Sequence, residues 1–86
     1  MADAISLAEM PSGGRGIVVE MQGGRGMVQK LDAMGIRVGC EIKKVSAQFM
    51  RGPVLVKVGN TQVAIGFGMA RRIMVEVEKK STDNSL

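Results

Sequence analysis

Residues 30–42 decide the fold, and they read KLDAMGIRVGCEI. This stretch has the pattern of a helix end, an abrupt stop, a tight turn and the start of a strand. Met27, Leu31 and Met34 recur at i, i+4 and i+7, which places them on one apolar face of a helix. Gly35 follows at once, where a helix commonly ends on a residue that adopts positive φ. The pattern therefore predicts a short helix that stops at this glycine.

The residues after the stop predict how the chain turns back. Ile36 is placed to fold onto Leu31, a contact that often accompanies a glycine stop. Gly39 suits a second positive-φ position in a turn, and Ile42 then enters a strand. The helix over residues 25–34 is only about ten residues long, and isolated helices shorter than about 12–15 residues are marginal in water. We therefore expect its apolar face to dock on a sheet.

Short strands are predicted on both sides of this helix. Residues 5–7 are consistent with an edge strand and residues 11–14 with a turn. Residues 16–21 alternate regularly, with odd-numbered and even-numbered positions on opposite faces. From Cys40 to Phe49 the alternation changes parity, which predicts a bulge or a sharp bend near Lys43-Lys44.

The clearest hairpin signal is Gly59-Asn60, because this pair favours a two-residue turn of type I′ or II′. The strands on either side alternate, so six side chains are predicted to face the core in cross-strand pairs. These pairs are Val58 with Thr61, Val56 with Val63, and Val54 with Ile65. A helical turn over residues 66–70 and a last strand with Ile73, Val75 and Val77 inward complete the pattern.

These elements predict a mainly β domain: a small, partly closed β-barrel of five to six short strands with one short inserted α-helix. The 86 residues suffice for one domain. Only 2% are aromatic, so the core must be aliphatic and methionine-rich. We expect the folded domain over residues 1–78 and a disordered polar C-terminal tail over residues 79–86.

The composition argues against several function classes. The chain has no His and one Cys, which excludes His-based catalysis, an internal disulfide and a cysteine-cluster metal site. Scattered carboxylates (Glu20, Asp32 and Glu41) do not make a recognisable iron cage. We predict no catalytic residue, no metal ligand and no cofactor, and leave weak transition-metal binding open. No signal peptide or membrane span is evident, which predicts a cytoplasmic protein.

The order of motifs from about Leu7 to Val77 resembles the FeoA family of ferrous-iron transport proteins. The upstream part of the family pattern corresponds to Gly23-Gly24, Lys30-Leu31, Met34-Gly35-Ile36, Gly39 and Ile42. The downstream part corresponds to Gly52-Pro53-Val54, Ala64-Ile65, Ala70 and Ile73-x-Val75-Glu76. Two positions depart from the pattern: Lys30 stands where many members have Arg, and Gly26 replaces a better helix former.

The resemblance implies an SH3-like barrel and a non-enzymatic cytosolic accessory role in ferrous iron uptake. The implied partner is the cytosolic part of a FeoB-type transporter, which includes a GTPase domain, so the membrane would be reached only through that transporter. The alternative is a metal-dependent regulatory module, like the C-terminal barrel of iron-responsive repressors. Nucleic-acid binding is disfavoured, because base-stacking rings are nearly absent. A homo-oligomer stays open.

If the protein works through its surface, exposed basic and methionine side chains are the candidate contacts. Basic residues around the helix suit an acidic partner, and methionines make adaptable apolar contacts. The predicted partner-binding residues are Arg25, Lys30, Met34, Arg37, Met50 and Met74.

Overall fold

The computed structural model describes residues 4–47 and 52–77, and within them it contains six strands and two short helices. In chain order these are β1 (Ala4–Ser6), β2 (Arg15–Met21), α1 (Arg25–Ala33), β3 (Glu41–Ala47), β4 (Val54–Val58), β5 (Thr61–Ile65), α2 (Phe67–Ala70) and β6 (Ile73–Val77). The predicted tail at residues 79–86, together with Phe49 and Met50, lies outside the described residues.

All six strands form one antiparallel sheet in the order β1-β6-β2-β3-β4-β5. The mainly β architecture with a single inserted α1 is confirmed. No ladder between described residues joins the two outer strands, β1 and β5, so the sheet curls without closing through the hydrogen bonds of these residues.

The core is built from aliphatic side chains and one methionine. The fully buried members are Leu7, Met10, Val18, Leu31, Ile36, Ile42, Val54, Val56, Ile65, Ala70, Ile73 and Val75. Because β-branched residues pack well on a pleated surface, this composition suits a small curled sheet.

The predicted helix stop is confirmed in detail. The amide of Ile36 donates to the carbonyl oxygen of Leu31 at 2.8 Å, and the amide of Gly35 donates to Asp32 at 2.9 Å. Gly35 has φ +89°. These two bonds form a Schellman motif, which satisfies carbonyl groups that the helix end would leave free. The stop also buries Ile36 against the completely buried Leu31.

The second turn is confirmed as well. The amide of Cys40 donates to the carbonyl oxygen of Arg37 at 3.1 Å, and Gly39 has φ +98°. A turn closed in this way with positive φ at its third residue is type II. The amide of Gly39 also donates to the carbonyl of Val18 at 2.7 Å, so the turn is fixed to β2.

Bulges interrupt two strands, and the alternation of the sequence predicted one of them. The register between β3 and β4 shifts between Lys44 and Ser46, as the parity change predicted. The register between β2 and β6 shifts between Val18 and Glu20. The regular alternation predicted through residues 16–21 is therefore wrong beyond Val18.

The β4–β5 hairpin has the predicted pairs, although one inward assignment is wrong. Val58 opposes Thr61, Val56 opposes Val63, and the last pair matches as well. Thr61 is nevertheless exposed, because the pair nearest the turn extends past the edge of the core. Val58 and Val63 are half-buried and pack against the core.

The segment between β1 and β2 contributes more to the core than its composition suggests. The predicted strand over residues 5–7 ends at Ser6, and Leu7 begins a turn instead. Leu7 and Met10 are both fully buried. The turn residues Gly13 and Gly14 then bond to β3, because the amide of Gly13 donates to the carbonyl oxygen of Lys44 at 2.6 Å.

A buried lysine joins this segment to β3. Lys44 is 3% exposed, and its Nζ donates to the carbonyl oxygens of Ala8 at 2.9 Å and Met10 at 2.6 Å. Burial lowers the pKa of Lys44 from its ordinary 10.5, because desolvation disfavours the charged amine. The bonds satisfy two carbonyls that would otherwise lack donors in the interior.

Candidate partner-binding surfaces

The predicted basic residues on α1 do not form a single patch. Arg25 and Lys30 are both exposed. Five residues of α-helix correspond to a rotation of about 140° between their directions, since a turn takes about 3.6 residues. One flat partner surface therefore cannot contact both residues from the same side of α1.

The candidates at the other end of α1 are partly occupied by internal contacts. Arg37 Nε lies 2.9 Å from Asp32 Oδ1, and both side chains are more than half exposed. The ion pair offsets part of the positive charge of Arg37. Met34 caps the helix and packs half-buried against the core. Met50 lies outside the described residues.

Met74, the remaining candidate, lines a groove beside α2. This groove has a volume of about 650 Å³. Its walls are Ser6, Ala8, Glu9, Gln22, Phe67, Arg71, Arg72 and Met74. A second depression adjoins it at Arg72 and is lined by Met27, Gly66, Gly68, Met69 and Arg72. We call the residues that line these two depressions the α2 surface.

The α2 surface combines half-buried apolar side chains with exposed cations. Its large apolar members are Met27, Phe67, Met69 and Met74, all half-buried. Arg71 and Arg72 are exposed. Methionines repack around different partners because their side chains are unbranched and polarizable, so this arrangement suits a protein or peptide that offers apolar groups together with acidic ones.

Local folding explains why these side chains remain at the surface. Only Ala70 of α2 is fully buried, so the helix docks through a small residue and its larger side chains stay half exposed. The amide of Gln22 donates to the carbonyl of Arg72 at 2.7 Å, which fixes the end of the α2 turn to the end of β2.

Sequence reasoning missed Phe67, Arg71 and Arg72. The signal for them was present: one of only two aromatic residues and an adjacent arginine pair flank a predicted helical turn. What the pattern could not supply was the tertiary contact that places this turn beside Met27 and Met74.

The described residues offer little for metal or nucleophilic chemistry. Within residues 4–47 and 52–77, no group of three or more Cys, Asp or Glu side chains comes together to hold a metal ion. Glu41 instead approaches Arg15 at 3.7 Å. Cys40 is half-buried and packs against the core, as a small apolar residue would. Neither α1 nor α2, the helices of the described part, is long and apolar enough to cross a membrane.

The fold and its surfaces together define a small β domain whose exposed apolar and basic groups suit contact with another molecule. The FeoA domain family matches residues 5–77, so the chain belongs to the FeoA family. A relative from Methanocaldococcus jannaschii, provisionally named Fe(2+) transport protein A, is 36% identical over 78 residues, which cover 91% of this chain and 93% of the relative.

Solved structures of the family share the fold. One described as an iron uptake regulatory protein (FeoA) has 38% identity and a TM-score of 0.80, over 88% of this chain and 99% of the other. FeoA from Stenotrophomonas maltophilia, solved with zinc and described as a prokaryotic SH3 domain protein, has 25% identity and a TM-score of 0.72, over 90% of this chain and 99% of the other. The predicted SH3-like fold is confirmed.

A further likeness extends to a regulator. A manganese-dependent transcriptional repressor has a TM-score of 0.80 at 19% identity, over 88% of this chain and 42% of the repressor. At this identity the comparison establishes a shared fold. The chain is thus a FeoA-family member associated with ferrous iron transport, and its barrel also occurs inside a larger regulatory protein.

Proposed function

We propose that this protein is a non-enzymatic accessory protein of ferrous iron uptake that acts in the cytosol by binding the cytosolic part of a FeoB-type transporter, including its GTPase domain. The observation that carries the proposal is the family match across residues 5–77, nearly the whole described domain.

Within this proposal, the α2 surface is the principal contact. It offers four adaptable apolar side chains next to two exposed arginines, and an interface of that composition resembles the mixed apolar and basic contacts found at interface centres. Met74 belongs to this surface, whereas Arg25 does not line it and is a secondary contact. Lys30, Met34, Arg37 and Met50 are secondary contacts in this proposal.

Co-purification with the cytosolic part of the transporter tests the proposal. We expect the wild type to bind and an Arg71→Glu, Arg72→Glu variant to lose most of that binding. A Lys30→Glu, Arg37→Glu variant reverses the same number of charges at two secondary contacts, so it should lose less binding than the first variant. Loss in this second variant alone would move the principal contact to these two residues. No binding by the wild type would refute the partner itself.

The alternative is a metal-dependent regulatory module, and the barrel shared with the manganese-dependent repressor is the observation that favours it. Calorimetric titration with ferrous or manganous ion tests it. Stoichiometric binding would support the alternative, and an absence of binding heat across the titration would count against it.

A further inference from the structure

Three cations form a row across the outer face of the sheet. Arg15 on β2 opposes Lys43 on β3, and Lys43 opposes Lys57 on β4. All three side chains are exposed, since their neighbours Gly16, Ile42 and Val56 point inward. We call Arg15, Lys43 and Lys57 the cationic row.

The cationic row is unfavourable for the isolated domain. Like charges directly opposite each other on adjacent strands destabilise a sheet, and here the repulsion occurs twice, at Arg15–Lys43 and at Lys43–Lys57. Among the described residues, the only acid paired with the row is Glu41, 3.7 Å from Arg15. Lys43 and Lys57 make no ion pair with any described residue, so their charges are available to an outside anion.

The shape of this region also suits a bound acidic group. The row, Glu41 and Gly59 surround a depression of about 280 Å³ next to the β4–β5 turn. Neighbouring strands lie about 4.8 Å apart, so the row extends about 10 Å from Arg15 to Lys57. Acidic residues at alternate positions of an extended chain recur about every 7 Å, and two of them fit within this length.

We propose that the cationic row binds an acidic segment of a partner protein. The row shares no residue with the α2 surface, so the inference does not depend on the contact proposed above. Ile17, which is 39% exposed, lies on the same face two residues along β2. It offers an apolar contact beside the charges, as a peptide with mixed side chains would use.

The same face argues against a larger polyanion. Ile17 opposes Glu41 on β3 and Glu76 on β6, so exposed acids stand next to the cations. A nucleic-acid backbone or an anionic membrane that covered the sheet would meet these acids as well as the row. Strong non-specific binding to nucleic acid also uses more phosphate contacts than three cations supply. A short acidic segment can avoid the acids.

Amide-shift titration of the full-length protein with hexaglutamate tests the proposal. We expect the shifts to concentrate at the three residues of the row and at Gln62, the neighbour of Lys57 on β5, and to vanish as salt is raised. No shift at these residues with millimolar peptide would overturn the proposal. So would equal shifts around Arg71 and Arg72.

A pair of variants distinguishes binding by the cationic row from an effect of the protein's net charge. We expect Lys43→Gln, Lys57→Gln to weaken hexaglutamate binding about three- to tenfold, given the usual strength of exposed ion pairs. The variant should also melt at a higher temperature than the wild type, because the cross-strand repulsion is gone. Its control, Lys79→Gln, Lys80→Gln, loses the same charge at positions that belong to neither proposed surface and should bind as the wild type does.

An equal loss of binding in the Lys79→Gln, Lys80→Gln control would overturn the proposal, because net charge alone would then explain the effect. Binding of a single-stranded oligonucleotide, or of vesicles that contain phosphatidylserine, through the row and as tightly as the peptide would overturn the assignment to an acidic protein segment.

Discussion

Two connections hold the sheet in shape by different means. Between α1 and β3, the chain turns through backbone hydrogen bonds and two positive-φ glycines, Gly35 and Gly39. Between β1 and β2, backbone hydrogen bonds are joined by a side-chain contact, in which the Nζ of Lys44 reaches carbonyls 36 and 34 residues earlier in the sequence. The helix stop of the first connection is encoded locally, whereas the second also depends on a distant side chain. A sequence pattern can therefore reveal the helix stop but not the lysine contact. Substitutions in the two connections should also destabilise different parts of the protein.

The largest effect on stability is expected at Leu31, on α1 next to the first connection. Leu31→Ala should lower the free energy of unfolding by about 2–5 kcal/mol, because Leu31 is fully buried under α1 and its removal leaves a cavity. Urea denaturation measures the change. Val28→Ala on the outer side of the same helix is the control and should stay within about 0.5 kcal/mol. Equal effects of both changes would show that α1 does not dock as described.

The second connection should be weakened by Lys44→Met. This change removes the donor for the carbonyls of Ala8 and Met10, and leaving buried acceptors without donors costs about 1–3 kcal/mol. Hydrogen exchange should quicken most at Gly13, whose amide bonds to the carbonyl of residue 44. It should change least at Ile36, in the other connection. Uniform quickening at both sites would contradict the separation of the two connections.

The stability of the first connection should also be sensitive to substitution of Gly35. Gly35→Ala should cost about 1–2 kcal/mol, because φ is +89° and L-residues with a Cβ are strained there. The added Cβ meets only Val58 Cγ1, at 4.0 Å, so the cost reflects backbone strain and not a clash. Thermal unfolding of both proteins measures it.

Gly26→Ala is the matched control for that prediction. Gly26 lies inside α1, and a Cβ there meets nothing within 4 Å. Ala should therefore stabilise the protein, by about 0.5–1 kcal/mol. If both glycine substitutions shifted stability in the same direction, the roles assigned to these two positions would be wrong.

The smallest expected effect is a pH dependence of the unfolding free energy that Lys44 contributes in the second connection. Burial lowers the pKa of Lys44 below its ordinary 10.5. Between the lowered value and 10.5, the unfolded chain keeps a proton that the folded chain has released, so stability rises with pH. The wild type minus Lys44→Met difference in unfolding free energy should therefore increase as the pH approaches 10.5. A decrease over the same interval would contradict the burial of this amine.

Most of the fold could be predicted because its signals are local. The Gly35 stop, the Gly59-Asn60 hairpin and the bulge in β3 each follow from a few neighbouring residues, and the structure confirms them. The bulge in β2 was missed, because Val19 continues the alternation that the bulge interrupts. The burial of Lys44 was missed because a lysine inside a polar run is usually solvated, and only the tertiary structure brings it to Ala8 and Met10.

The candidate site was less predictable than the fold. Among the predicted contact residues that the structure describes, only Met74 lines the α2 surface, and the others lie on α1 or just after it. Arg25 and Lys30 were predicted as contacts because both are basic. They point in directions about 140° apart around α1, so one flat surface cannot contact both. Surface sites depend on which distant elements come together, as Met27 on α1 and Met69 on α2 line one depression. Neither periodicity nor composition encodes that arrangement. The assignment of all these residues as partner contacts stays a prediction.

The most direct test is to map the surface that the cytosolic part of a FeoB-type transporter is proposed to cover. Amide-shift perturbation of the labelled full-length protein, on addition of that part, gives the map residue by residue. We expect the largest amide-shift changes at residues 66–74 and at Met27. No change anywhere would contradict the role as a binding partner, and changes confined to the β4–β5 turn would contradict the assignment of the α2 surface.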